Sequence, residues 1–356
     1  MPAKEPNKTY MRQTIATFGE LLLRLSPQGT LRLIQTQNTT ATFGGSEANV
    51  AVSLATLGDH VAYVTRLPEN KAGHAASDRI AFYGVDTSQV LFHGNKIGSY
   101  FLQQGASRQK SKTVYDRYDT AYSTLKPGDI DWHTILKDAS VFHTSGICAA
   151  ISQSAADAVF EALDVADELG VTISFDINYR KNLWEYGADA RDTLTRMMQR
   201  ADIMFGDVLE YEFICQHDPI PFRTPTGEAP DNEAYAKWFE QLHELCPRCG
   251  HMIIGVRNQV SPTHHELTAL MLADGKMFTS KVQDITPVID PVGVGDAFAA
   301  GSIHAAINFP DDNQRWVDYA LAAATLKNRV RGDFPLTTDA EILELVDLGK
   351  SYTAEL

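Results

Sequence analysis

Apolar positions along the chain alternate between two rhythms. Val50, Leu54 and Leu57 recur at helical spacing and Gly58 follows where a helix would stop. This spacing predicts a buried helix entered through the glycine turn Gly44-Gly45. A short strand at 61–64, a second helix at 71–82 and extended chain at 85–92 come next, which is a β-α-β rhythm. It returns with strands at 141–143, 171–175, 203–205 and 252–256, separated by helical stretches such as 155–169 and 233–245. Strands spaced by helices of this length form a parallel sheet covered on both faces. Further on, apolar runs at 267–272 and 277–282 flank Asp274-Gly275, a turn pair that favours an antiparallel hairpin, and helices at 295–307 and 315–329 close the chain. Two stretches break the rhythm, 21–43 and 96–123. They are rich in Thr, Gln, Tyr and Arg and read as strands of a small accessory sheet, discontinuous in sequence, able to cover a site at the carboxyl edge of the main sheet.

Composition narrows the function classes. Hydrophobic residues at 44% and charged residues at 21% allow a sizeable core. Lys and Arg total 31 against 45 Asp and Glu, a net charge of −14, which excludes a binder of nucleic-acid backbones or of anionic membrane surfaces. An anionic ligand would need local positive charge. No apolar run approaches the ~20 residues of a membrane span, and the polar start lacks a secretory signal core, so a cytoplasmic protein is expected. Four cysteines are too few for a disulfide scaffold in a chain of this size. His243, Cys246, Cys249 and His251 form a compact cluster, but it lacks the longer loop of zinc fingers, and two reduced thiols at a helix end are expected instead. The proline-rich segment 218–230 reads as an exposed loop and residues 1–10 as a mobile tail.

The most informative segment is Asp290-Pro291-Val292-Gly293-Val294-Gly295-Asp296, a glycine turn opening into a small-residue helix. Glycines let backbone amides converge, and the helix dipole adds positive potential, so the turn suits a phosphoryl group. Asp296 within that amide cluster is either a helix N-cap or a proton acceptor. A dinucleotide fingerprint fails because position 298 is Phe, and a Walker loop before Gly349-Lys350-Ser351 fails because the required glycine is Glu344. An acid at an anion-binding helix start suits a base that deprotonates an attacking hydroxyl while the amides neutralise the phosphoryl charge.

With Asp290 to Asp296 and the N-terminal Gly44-Gly45-Ser46-Glu47-Ala48-Asn49, the chain resembles the ribokinase-like, or PfkB, carbohydrate kinases from about Thr17 to Thr338. The resemblance implies a three-layer α/β sandwich with a mostly parallel central sheet and a small β lid, one domain over 11–356 and ATP with Mg2+ as cofactors. A homodimer through the lid is implied as well. Asp296 would be the base and the amides of Gly293, Val294 and Gly295 the anion site. Within the family, Gly19-Glu20, Gly98 to Phe101, Tyr115-Asp116-Arg117, Asp176 to Arg180 and Arg331 to Asp333 are similar to 2-keto-3-deoxygluconate kinases. By that similarity Gly45, Tyr100, Tyr115, Arg117, Arg180 and Asp333 would contact the sugar acid and Asn178 would lie beside the triphosphate. Two arginines suit a carboxylate, because the guanidinium fork matches its geometry; solvated surface arginines are the alternative.

The chain departs from the family pattern at three places. Val294 stands where Ala or Gly is usual. Asp207-Val208-Leu209-Glu210 replaces an Asn-x-x-Glu motif that organises magnesium, and an N-cap with an ordinary helix glutamate is the alternative. After the 252–256 strand a Gly-x-x-Gly loop is missing, leaving Arg257 as a candidate phosphate contact or a structural loop residue. A neutral-sugar kinase, or a silent sugar-binding protein on the same fold, are the competing readings.

Overall fold

The computed structural model describes residues 14–105, 111–215 and 232–348. The proposed tail, the loop at 218–230 and the Gly349-Lys350-Ser351 triplet lie outside the described residues. Among those described, ten strands form one sheet. Its order runs Lys276–Thr279, His264–Ala273, His251–Ser261, Ile203–Asp207, Thr172–Asp176, Ala139–Ser145, Thr14–Phe18, His60–Leu67 and Val90–Phe92, with Gln283–Ile285 pairing the second. Pairing is parallel from His251–Ser261 to Val90–Phe92 and antiparallel at the other edge. Alternate residues point to opposite faces: Ile15, Val141, Ile203 and Ile253 join one core, whereas their neighbours Ala16, Phe142, Met204 and Ile254 join the other. Helices Ser46–Leu57, Val294–Asn308 and Asn313–Lys327 cover the first face; Gln153–Leu169, Ala190–Met198 and Asn232–Leu245 cover the second. The result is a three-layer sandwich of the ribokinase-like type.

A second sheet of four strands, ordered Thr39–Gly44, Leu22–Pro27, Gly98–Gln103 and Lys112–Asp116, is the small β lid. Its chain is shorter than the 96–123 stretch suggested. The strand ends at Asp116, and the following segment turns into the body, where Tyr122 is buried beside Phe18. Burial of that aromatic outweighs the polar composition of the segment.

Several other differences have local causes. The strand from His251 continues to Ser261 and pairs with His264–Ala273, so Arg257 stands opposite Leu267 in a ladder rather than in a loop. The expected hairpin at Asp274-Gly275 is present, both residues having positive φ (51° and 69°) as its turn requires. A helix at Asp339–Leu348 follows the two that seemed to close the chain. His243, Cys246, Cys249 and His251 are not gathered as a metal cluster among the described residues: Cys246 joins the core, and His251 stacks on Trp316 at 4.3 Å.

Candidate active site

The carboxyl ends of the parallel strands, the lid and the start of Val294–Asn308 enclose a cleft of about 1630 Å³. The residues expected from the sequence to contact sugar, nucleotide or magnesium all line it: Gly45, Tyr100, Tyr115, Arg117, Asn178, Arg180, Asp207, Glu210, Arg257, Gly293, Val294, Gly295, Asp296 and Asp333. Residues distant in sequence converge because each follows a different strand or belongs to the lid.

The helix begins where Gly293 adopts φ +83°, and a Cβ there would lie 2.1 Å from the Asp333 carbonyl oxygen, so only glycine fits. Val294, where Ala or Gly is usual in the family, turns its side chain into the core. Its amide makes a long 3.4 Å bond to Pro291 O, while those of Gly293, Gly295 and Asp296 take no partner among the described residues. These are the free amides of a helix start.

Asp296 sits in the first turn and is not the N-cap, which is Gly293. The Ser46 hydroxyl donates to its Oδ1 at 2.9 Å and Asn49 Nδ2 to its Oδ2 at 2.6 Å. Ser46 in turn accepts from Asn178 Nδ2 at 2.9 Å. Burial pushes the Asp296 carboxyl up to about 6, with the Asn49 and Ser46 bonds opposing it. Gly45 places this helix: a Cβ at 45 would come 2.2 Å from the Glu20 carbonyl oxygen. Ser46 and Asn49 were not singled out from the sequence, although their i, i+3 spacing at a helix start sets both side chains on one face.

The residues read as sugar contacts divide. Arg117 is buried, and its Nε donates to Glu20 Oε2 at 2.6 Å, while Thr120 Oγ1 donates to Oε1. It follows directly after the last lid strand and is tied to Glu20, in the link between Thr14–Phe18 and the lid strand Leu22–Pro27. Tyr100 donates to Asp333 Oδ2, and its ring lies 5.7 Å from that of Tyr115. Asp333 also takes Arg24 Nη1 at 2.7 Å, so its carboxylate is already engaged. Arg180 is different: its side chain is 46% exposed, with Glu210 Oε1 at 3.4 Å and its neighbour's carbonyl at 3.0 Å.

Asp207 and Glu210 form a reciprocal cap, each carboxylate accepting the other's amide at 3.0 Å at the start of Val208–Cys215. The N-cap alternative therefore describes their bonds, and both still face the cleft. Glu210 is pushed up to about 7, chiefly by burial and then by Asp207, with Arg180 pulling it down. Buried Asp176 is raised too, by burial and by Glu210. Among the described residues these three carboxylates do not converge as one ligand set, so a hard cation here would be held partly through water.

Arg24 gave no sequence signal. It sits in the apolar lid strand Leu22–Pro27 yet is buried, paired to Asp290 at 2.8 Å and Asp333 at 2.7 Å, with Nε on Ser26.

Comparison with known proteins bears on the chain as a whole. The crystal structure of 2-dehydro-3-deoxygluconokinase from Thermotoga maritima matches at 35% identity with a TM-score of 0.87, covering 94% of this chain and 98% of that one. The 2-dehydro-3-deoxygalactonokinase of Haloferax volcanii is 28% identical over 93% of this chain and 96% of its own length. Fructokinase-1 of Zea mays is 25% identical over 94% and 98%. The model of the pfkB family carbohydrate kinases matches residues 12–335. Nearly the whole chain, including the glycine turn and the Ser46 helix, is thereby accounted for, and it belongs to the pfkB family of carbohydrate kinases.

Proposed function

We propose that this carbohydrate kinase transfers the γ-phosphoryl group of ATP to the 6-hydroxyl of a 2-keto-3-deoxy sugar acid, with 2-keto-3-deoxygluconate as substrate. The observation that carries the substrate class is Arg180. It is a half-exposed guanidinium in a chain of net charge −14, loosely held, and close enough to Asp296 to lower its pKa. A cation so placed is available to a substrate carboxylate. Arg117, Tyr100 and Tyr115 complete the sugar pocket, with Asp333 fixing Tyr100.

Asp296 is the base. Its pKa near 6 leaves it ionised at neutral pH yet a better proton acceptor than an ordinary aspartate. It takes the proton of the attacking hydroxyl while the amides of Gly293, Gly295 and Asp296 receive the charge of the phosphoryl group. Ser46, oriented by Asn178, and Asn49 fix the direction of the carboxylate. Arg257 is a contact for the nucleotide phosphates. Asp176, Asp207 and Glu210 would hold Mg2+ through oxygen ligands and water, and magnesium supplies charge neutralisation on the phosphates. Two copies pair through the lid, where Ile34, Val114 and Tyr118 are exposed; light scattering of the purified chain tests this.

A neutral-sugar kinase is favoured by one observation, the neutralisation of Arg117 by Glu20. ADP release with ATP, Mg2+ and a panel of 2-keto-3-deoxygluconate, its galactonate epimer, fructose and ribose decides. Preference for a sugar acid by about 10²-fold in kcat/KM is expected. Preference for fructose or ribose overturns the sugar-acid reading, and the absence of ADP release with every sugar of the panel points to a silent binding protein.

A further inference from the structure

Behind the glycine turn lies a lysine wholly shielded from solvent. Lys327 ends the helix Asn313–Lys327, and its Nζ donates to the carbonyl oxygens of Val330 at 3.1 Å and Asp290 at 3.3 Å. Those two carbonyls belong to separate segments, one entering the turn and one leaving the helix. The turn packs directly on this side chain: a Cβ at Gly293 would lie 3.2 Å from Lys327 Cε. The charged groups that face it are Asp290, Asp333, Arg24 and Asp296. Arg24 already bridges the Asp290 and Asp333 carboxylates, so the lysine's direct partners are backbone carbonyls and not an acid of its own. Burial lowers its pKa to about 8, with Asp290 and Asp333 opposing, which keeps it charged at neutral pH.

A buried ammonium without a private counter-ion is costly and needs a compensating role. We infer that Lys327 is a positioning residue for phosphoryl transfer, an internal cation that ties the entry to the 290–296 turn, at Asp290, to the segment leaving the helix Asn313–Lys327, at Val330, behind the turn's free amides. Tied in this way, those amides stay aimed at the phosphoryl group and the positive charge adds to their field as charge develops there. The inference rests on the kinase reading of the turn. It predicts an effect on kcat, since the ammonium touches neither sugar nor nucleotide.

The test uses the full chain, ATP, Mg2+ and the sugar the native enzyme turns over best. Lys327→Met keeps the packing without the charge, and Lys327→Ala leaves a cavity that a small amine can enter. Both should lose about 10–100-fold in kcat with KM for sugar and ATP within about threefold, and propylammonium, but not 1-propanol, should restore Lys327→Ala at least about fivefold with saturation. If Lys327→Met folds with native melting behaviour and turns over within twofold of native, the inference is overturned. It is overturned too if the folded alanine variant loses activity and amine and alcohol act alike. A native enzyme that prefers fructose or ribose would sink the sugar-acid reading and leave this test standing. A native chain that turns over no sugar would sink both.

Discussion

Two aspartates six residues apart on one turn have opposite surroundings. Asp290 is 2% exposed; its oxygens take Arg24 Nη2 at 2.8 Å and the amides of Val292 and Gly332 at 3.1 Å. Among the described residues, Asp296 receives the neutral donors Ser46 and Asn49 alone, and it opens on the cleft. A carboxylate with a guanidinium and two amides has its lone pairs occupied and serves as an anchor. One held by two neutral donors keeps a direction and retains basicity. The chemistry of the turn follows from which acid was given the charge.

The sharpest way to break this contrast is Asp296→Asn. It should lower kcat about 10²–10⁴-fold while sugar KM changes little. Burial raises the folded pKa from 3.8 to about 6, so the folded state loses stability as pH rises through that window. The asparagine variant should therefore melt no lower than native at pH 7, and near-normal turnover would remove the base. Asp290→Asn should do the reverse: it halves the pairing of buried Arg24 and should cost about 2 kcal/mol in denaturant unfolding, with a milder effect on turnover of the folded fraction. Unchanged stability would show the anchor to be elsewhere.

Smaller effects sharpen the picture. Arg180→Ala should lower kcat/KM about tenfold or more for the sugar acid and little for fructose; an equal loss on both would assign it to the nucleotide side. The pH profile of kcat should fall below about pH 6 as Asp296 gains its proton. Ser46→Ala removes a donor that favours the ionised form, so the acid limb should move to higher pH; a limb that stays put would detach Ser46 from the base.

The alternation of strands and helices was legible because each face of the sheet demands its own apolar set, as Ile253 and Ile254 show. The glycine turn was legible because φ at Gly293 and its contact with Asp333 leave no other residue possible. The interior strand Thr14–Phe18 was missed: it is five residues long, and burial of Ile15 to Phe18 on both faces leaves no alternation to read. Arg24, Lys327 and the Arg117–Glu20 pair were invisible for another reason. Their partners lie far away in sequence, and a charge in an apolar run says nothing about the counter-charge that the fold will bring to it.

Arg24 also bears on how such a kinase could be re-engineered. The lid strand that frames the sugar pocket carries the guanidinium which locks the far side of the turn through Asp290 and Asp333. The neighbouring strand Thr39–Gly44 runs through Gly45 directly into the helix bearing Ser46. The small sheet is therefore not an exchangeable cassette. A donor sheet grafted to alter sugar choice would have to bring an arginine at position 24 and the same entry into the helix, or the recipient would change its acid–base chemistry together with its specificity.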